Sequence, residues 1–177
     1  MKIYLIPLKF EDDELLRELS EVIQKLLSLE VSIYPNKMSL YGGYDPFRNQ
    51  YNSSWILNQL KKSAPNGADK LLGITEFDLF IPIFTFVFGE AEFNGHTAVI
   101  SSHRFQNELY GLPPDREIMT TRLIKESIHE LGHTLGVRHC RNTQCVMYPS
   151  SYAEDIDFKP AFFCEKCHAK IYNKSIY

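Results

Sequence analysis

The chain has 177 residues, of which 44% are hydrophobic and 23% are charged, values typical of one globular domain that exclude wholesale disorder. Its net charge of −3 gives no electrostatic reason to expect a nucleic acid or an anionic membrane as partner. No apolar run approaches the ~20 residues that span a bilayer, and the first residues lack a signal-peptide pattern, which favours a cytoplasmic location.

The first part of the chain predicts a strand, a helix and a second strand. Residues 2–9 form a short apolar run, and residues 31–34 form another that Pro35 closes. Between them, apolar residues recur at the spacing of one helix face: Leu15, Leu16, Leu19, Val22, Ile23, Leu26 and Leu27. This order indicates a βαβ unit with parallel strands.

The next segment, residues 36–52, is a long connection rich in glycine and tyrosine. A loop of this length is either functional or a packed surface loop, and the sequence does not decide between them. Ser53 or Ser54 is placed to cap a helix that ends before Pro65. Residues 71–75 then predict a third buried strand.

A hairpin is predicted ahead of the longest helix. Phenylalanines alternate with other residues over 84–88, which predicts a strand with one aromatic face. Asn94-Gly95 is typical of a two-residue turn, and residues 97–101 form the returning strand. Such a hairpin can lie at the rim of a cleft and bind an extended peptide by strand addition through its backbone. Most phenylalanines in proteins are buried, which favours a place in the core for these side chains.

The longest predicted helix begins after Pro113-Pro114, with Asp115 as its cap. Its buried stripe is Ile124, Ile128, Leu131 and Leu135. Glu126 lies on the neighbouring stripe, where it either orients a metal-binding histidine or stays solvated. Most glutamates in folded proteins are exposed to solvent, which favours the solvated charge.

Near the end of that helix, the twelve residues that begin at His129 read H-E-L-G-H-T-L-G-V-R-H-C. Residues four apart on a helix lie about 40° apart around the axis, so His129 and His133 can bind one Zn²⁺ with Glu130 beside it as a base. A continued helix would carry His139 ~9 Å further along the axis. The helix must therefore end, and Gly136 can adopt the positive φ of a helix C-terminus. Three histidines leave one position for water, as in a catalytic zinc site.

Met147 lies a few residues beyond the third histidine, just before Pro149. The chain must turn back beneath the metal here, and a thioether would pack under the imidazoles rather than bind the ion.

The four cysteines fall in the last quarter of the chain as a C-x4-C pair and a C-x-x-C pair: Cys140, Cys145, Cys164 and Cys167. In a reducing compartment such spacing favours a closed, structural zinc site over disulfides. The alternatives are a redox-active pair formed by Cys164 and Cys167, or buried free thiols.

The combination of H-E-x-x-H-x-x-G-x-x-H-C, Cys145-x-Met147 and Cys164-x-x-Cys167 resembles the archaemetzincins, a branch of the metzincin zinc peptidases. The resemblance covers the whole chain, including the segment Y-D-P-x-R-x-Q-Y that begins at Tyr44 and G-I-T-x-x-D-L-F that begins at Gly73. It implies a metzincin-like α/β (α+β) fold, in which a twisted mixed sheet with backing helices and an active-site helix lies above the cleft and a small zinc-stapled C-terminal subdomain lies below.

The resemblance also implies two zinc ions per chain and a role for each site residue. The ligands of the catalytic ion are His129, His133 and His139, with Glu130 as general base and Met147 in the Met-turn. The ligands of the structural ion are Cys140, Cys145, Cys164 and Cys167.

We therefore expect a single catalytic domain, with an upper subdomain over residues 1–136 and a lower one over residues 137–177. The leading hypothesis is a peptidase in which Glu130 activates a zinc-bound water. The alternative is a zinc-binding module that recognises a peptide or protein with little or no turnover. In both cases the partner is a peptide or protein, not a nucleic acid or a membrane. The sequence does not determine the oligomeric state, and a monomer is the default expectation.

Overall fold

The computed structural model describes residues 1–35 and 38–172. Along the chain, the strands are β1 (Lys2–Pro7), β2 (Glu30–Ile33), β3 (Tyr44–Asp45), β4 (Gln50–Asn52), β5 (Lys70–Thr75), β6 (Leu79–Phe80), β7 (Gly89–Ala91) and β8 (Thr97–Ser101). The helices are α1 (Asp13–Leu27), α2 (Ser53–Lys62), α3 (Arg116–Thr134), α4 (Ala153–Phe158) and α5 (Glu165–Tyr172). None of these helices is long and apolar enough to cross a membrane.

The strands form one main sheet and one small sheet. The main sheet has five strands in the order β2-β1-β5-β8-β7, in which only the edge strand β7 is antiparallel to its neighbour. Because α1 connects the parallel strands β1 and β2, the predicted βαβ unit is confirmed. The small sheet has the order β3-β4-β6. The predicted mixed α/β fold is therefore confirmed.

The core lies on both faces of the main sheet because successive side chains of a strand point to opposite faces. In β1, Ile3 and Leu5 pack against α1 and α3, whereas Tyr4 and Ile6 belong to the cluster that contains α2. The sheet is thus the middle layer of three. This arrangement holds α3, the helix with the histidines, against the face of the sheet that α1 also covers.

The helix starts are set by side-chain caps, one of which differs from the prediction. Asp115 caps α3 as predicted, since its carboxylate accepts a hydrogen bond from the amide of Ile118 (2.9 Å). Helix α2 is capped by Asn52 and not by Ser53 or Ser54. The two serine hydroxyls instead donate to the carboxylate of Glu90 on β7, so they are not available for capping.

The long connection after β2 is more ordered than an irregular loop. It contains a short 3₁₀ helix, Tyr41–Gly43, and the strands β3 and β4 of the small sheet. Gly42 and Gly43 lie under the indole of Trp55, where added Cβ atoms would approach the ring to 2.6 and 2.7 Å. The predicted segment 36–52 begins with Asn36-Lys37, which lies outside the described residues.

The predicted strand over residues 84–88 is wrong, although the hairpin exists. Strand β7 begins only at Gly89, and it pairs with β8. The carbonyl of Phe84 accepts from the guanidinium of Arg48, and the carbonyl of Thr85 accepts from the side-chain amide of Gln50. Side chains thus take backbone acceptors that a strand partner would otherwise use. The hairpin connection is also longer than the predicted two residues. The amide of Glu92 donates to the carbonyl of Thr97 (2.8 Å), and the connection lies between these two residues.

Candidate active site

Helix α3 ends at the position that the ligand spacing requires. Gly136 adopts a φ of 86°, and its amide donates to the carbonyl of His133 (3.0 Å). This left-handed conformation ends the helix without the steric cost that a side chain would bring. The chain then returns His139 to the other two rings, with centroid distances of 5.2 Å to His129 and 4.9 Å to His133.

Two of the imidazoles are held in the tautomer that binds metal through Nε2. The Nδ1 atoms of His129 and His133 lie 2.8 Å from the carbonyl oxygens of Val146 and Val137, respectively. Because a carbonyl only accepts, each Nδ1 carries the proton and each Nε2 presents a lone pair. The two Nε2 atoms lie 3.1 Å apart. Two lone pairs at this distance repel unless a cation lies between them.

The three histidines fit a zinc ion. One nitrogen from each ring lies within 4.8 Å of the others. Nitrogen ligands of tetrahedral zinc lie about 3.3 Å apart, close to the 3.1 Å separation found here. Burial lowers the pKa of all three rings, most strongly that of His129, which the charge of Lys159 lowers further. The imidazoles are therefore neutral near pH 7, as metal binding requires.

Glu130 is a buried carboxylate next to this cluster. Its side chain packs against Gly89 of the edge strand, where an added Cβ would approach the Glu130 Cγ to 2.8 Å. Burial raises the pKa of Glu130 well above its usual range, with repulsion from Glu126 adding to the shift and the ammonium of Lys159 opposing it. A carboxylate with a raised pKa is suited to accept and return a proton near neutral pH.

A cleft of about 390 Å³ opens onto His129, Glu130 and His139. Its other lining residues are mostly aromatic or apolar on one side and belong to the segment after Met147 on the other: Phe84, Phe86, Val87, Phe88, Gly89, Glu126, Pro149, Ser150 and Ser151. The phenylalanines therefore line the cleft even though they do not form a strand. The prediction that these phenylalanines belong to the core is confirmed for Phe88, and Phe86 packs partly buried against the same cluster. It is wrong for Phe84, which is exposed.

Met147 lies beneath the end of α3. It is fully buried, and an added Cβ at Gly132 would approach its sulfur to 2.5 Å, so only a glycine permits this contact. The carbonyl of Met147 accepts from the amide of Cys140 (2.9 Å), which closes the loop between them. A glycine inside a helix lowers the stability of the helix by about 1 kcal/mol relative to alanine. A glycine at position 132 in spite of this cost is the feature of the sequence that indicates a close contact there.

The four cysteines form a second cluster with free thiols, and their sulfur atoms lie within 4.8 Å of one another. The sulfurs of Cys140 and Cys164 lie 3.9 Å apart, close to the S···S edge of about 3.8 Å in a tetrahedron with Zn–S bonds of about 2.3 Å. Burial opposes ionisation of Cys164, but hydrogen bonds from the Cys167 backbone and from neighbouring thiols lower its pKa to about 7. The donor set and its geometry fit a closed zinc site.

Glu126 and Lys159 form a buried ion pair that the sequence did not predict. The expected solvated charge at Glu126 is wrong, since its side chain is 5% exposed and lies 2.6 Å from the ammonium of Lys159, itself 1% exposed. The ammonium also donates to the carbonyl of Tyr148 (3.0 Å). It lies 3.4 Å from Nδ1 of His129, but that nitrogen already donates to Val146. The partners are far apart in sequence, and no local pattern connects them.

Comparison with known proteins identifies the family. The model of peptidase family M54 matches residues 17–173. The archaemetzincin of Methanocaldococcus jannaschii is 38% identical over 177 residues, which are 100% of this chain and 96% of that protein. The archaemetzincin of Archaeoglobus fulgidus is 37% identical over 171 residues, which are 97% of this chain and 99% of that protein.

Solved structures agree with the sequence comparison. The crystal structure of the Archaeoglobus fulgidus archaemetzincin complexed with malonate has a TM-score of 0.82 and 37% identity, and the match covers 97% of this chain and 100% of that one. A zinc-dependent peptidase from Methanocorpusculum labreanum has a TM-score of 0.86 and 32% identity, with 96% and 99% coverage. The chain therefore belongs to peptidase family M54, the archaemetzincins, and is a zinc metallopeptidase.

Proposed function

We propose that His129, His133 and His139 hold a catalytic zinc ion and that Glu130 carries the proton during peptide-bond hydrolysis. The observation that supports this most directly is the convergence of the three imidazoles beside a buried carboxylate at the base of a cleft. When bound there, zinc lowers the pKa of a coordinated water towards about 7 and polarises the scissile carbonyl.

In this proposal Glu130 acts twice. It first accepts a proton from the water whose oxygen attacks the carbonyl carbon, and it then donates that proton to the amine nitrogen as the C–N bond breaks. The burial of Glu130 and its raised pKa support this role, because a more basic carboxylate accepts a proton more readily. The edge strand β7 borders Glu130 through Gly89, and an extended substrate can pair with its backbone by strand addition.

We further infer that the cysteines hold a structural zinc ion, which gives two ions per chain. In this view the chain is one catalytic domain with an upper part over residues 1–136 and a lower part over residues 137–177. The approach of the four sulfur atoms to within 4.8 Å of one another supports the second ion, as does the 3.9 Å between the sulfurs of Cys140 and Cys164. The free thiols agree with a reducing compartment such as the cytoplasm.

The test is the Glu130→Gln variant, measured for zinc content and for cleavage of a quenched-peptide library. We expect turnover to fall by at least about a hundredfold, the lower end of what a general acid–base residue contributes, while zinc stays bound. Cleavage at the parent rate would refute the role of Glu130. A zinc-loaded parent that binds peptides and cleaves none would favour the alternative, a recognition module without turnover.

A further inference from the structure

Four basic side chains surround a second cavity next to the three histidines. This cavity has a volume of about 510 Å³ and is lined by Arg138, Arg141, Lys166 and Lys170, together with cysteine thiols of the proposed structural site. All four basic residues are exposed. Among residues 1–35 and 38–172, no carboxylate forms an ion pair with any of them. Their charges are therefore available to a ligand.

The basic cavity and the active-site cleft share one lining residue, His139. His139 lines the cleft, the basic cavity and an intermediate cavity of about 480 Å³. Arg138 lines both the intermediate and the basic cavity, and its guanidinium lies 5.1 Å from the ring centroid of Phe93 at the rim. A peptide that crosses the cleft at His139 can thus extend from the phenylalanine-lined side to the basic side.

The proposed metal ions do not cancel the positive charge of this region. One zinc ion with four thiolates carries two negative charges, which balance two of the four basic side chains. Glu165, the exposed first residue of α5, balances one more. A zinc ion held by three neutral imidazoles adds two positive charges on the neighbouring side, of which the Glu130 carboxylate balances one. The region is therefore positive on a chain whose net charge is −3.

We propose that the basic cavity is a substrate subsite that binds an acidic side chain on one side of the scissile bond. This inference rests on the proposed peptidase function and adds the substrate class to it. The preferred substrate carries Asp or Glu where it passes Arg138 and Arg141, and a large apolar side chain where it enters the phenylalanine-lined cleft. Guanidinium and ammonium groups bind carboxylates by charge-assisted hydrogen bonds, and a complementary patch also raises the rate of association.

The test compares short quenched peptides that differ at one position, which carries Asp, Asn or Lys and is moved in turn along both sides of the cleaved bond. Zinc-loaded parent protein should cleave the Asp peptide faster than its Asn isostere at positions on one side only. We expect a ratio of kcat/KM of about three- to tenfold, the range for one or two exposed charge pairs, and a smaller ratio at high salt. Binding of the same peptides to the zinc-loaded Glu130→Gln variant, labelled with a neutral dye, should show the same preference.

The variant that tests the subsite is Arg141→Glu combined with Lys170→Glu, which should reverse the preference from Asp to Lys. The matched control is Arg17→Glu with Lys25→Glu, two exposed residues of α1 that line none of these cavities. It changes the net charge equally and should keep the Asp preference. A zinc content equal to that of the parent in both variants shows that the metal sites are intact.

The outcomes separate the subsite from the peptidase function. Cleavage with no difference between Asp and Asn at any position overturns the subsite and leaves the peptidase function standing. An Asp preference in binding without cleavage by the parent supports the subsite and contradicts the proposed function. Tight binding of a short RNA that is lost in the charge-reversal variant, with no Asp preference among peptides, assigns the patch to nucleic acid and overturns the proposal.

Discussion

The parts of the molecule before and after Gly136 are held together by different interactions. The first part is built on the five-stranded sheet, with fully buried apolar residues on both faces. The second part contributes α4, with six residues, and α5, with eight. Apolar residues of this part, such as Met147 and Ile156, are fully buried in one cluster with residues of α3. Polar contacts to α3 add to this packing: Arg122 pairs with Asp157, Lys125 donates to carbonyls of α4, and Glu126 pairs with Lys159.

The difference shows where folding free energy comes from in each part. A sheet that buries whole apolar side chains gains about 1.5–3 kcal/mol for each of them. The two short helices bury fewer apolar side chains than the sheet does. A structural zinc site can add about 10–16 kcal/mol of apparent binding free energy. The proposed cysteine-bound ion also has a positional role, since Cys140 directly follows His139 and its amide bonds to Met147.

The largest expected effect tests whether the lower part depends on metal. The variant Cys164→Ser with Cys167→Ser should lose the structural ion. Its histidine site should bind zinc at least about tenfold more weakly, because the loss of the structural ion shifts the neighbouring histidine ligand. Elemental analysis gives the ion count, and competition with a chelator gives the affinity. An unchanged zinc affinity at the histidine site would contradict the coupling between the two metal sites.

The control for that experiment lies in the upper part. Leu19 is fully buried in the cluster between α1 and the sheet. Leu19→Ala should lower the free energy of unfolding by about 2–5 kcal/mol through the cavity it leaves. Zinc affinity at both sites should stay at the parent value, which distinguishes a general loss of stability from a specific effect on the ligands.

The next effect concerns the polar junction between the two parts. Lys159→Met should lower the free energy of unfolding of the zinc-loaded protein by about 3–5 kcal/mol, because it leaves Glu126 buried without its partner. Urea unfolding measures this loss. Lys159→Met combined with Glu126→Leu removes both charges and should recover most of the stability. A double variant no more stable than the single one would show that the ion pair is not the cause.

The smallest effect is a pH dependence that belongs to the upper part alone. The hydrogen-bonded guanidinium of Arg116 lowers the pKa of Asp12, more than burial raises it. A carboxyl with a lowered folded-state pKa stabilises the fold above its unfolded pKa of about 3.9, and this contribution is lost as pH falls through the folded value.

Asp12→Asn keeps an N-cap residue for α1 but removes the charge. Urea midpoints of the parent should therefore fall more steeply below about pH 4 than those of the variant. Equal slopes would contradict this. The effect is small because Arg116 is exposed.

Several features of the site followed from local sequence alone. The shared helix face of His129 and His133, the helix end at Gly136 and the cap at Asp115 are set by spacings within a few residues. The four cysteines also came together as their paired spacing predicted. Helix periodicity and capping act over one or two turns, so a sequence pattern contains the information they need.

Other features depended on partners that are distant in the chain. The alternating pattern predicted a strand over residues 84–88, but Arg48 and Gln50 bind the carbonyls of Phe84 and Thr85. The phenylalanines line the cleft instead. Two candidate caps of α2 were lost to Glu90 for the same reason.

The sequence by itself therefore determined the candidate ligands, the helix that carries two of them and the family, because these are encoded in short spacings. Only the tertiary structure decided what surrounds them. It buried Glu126 by pairing it with Lys159, and it placed Met147 under Gly132 at a distance that only glycine permits. Whether a charge is solvated or buried depends on which distant segment packs over it, and a local pattern does not contain that information.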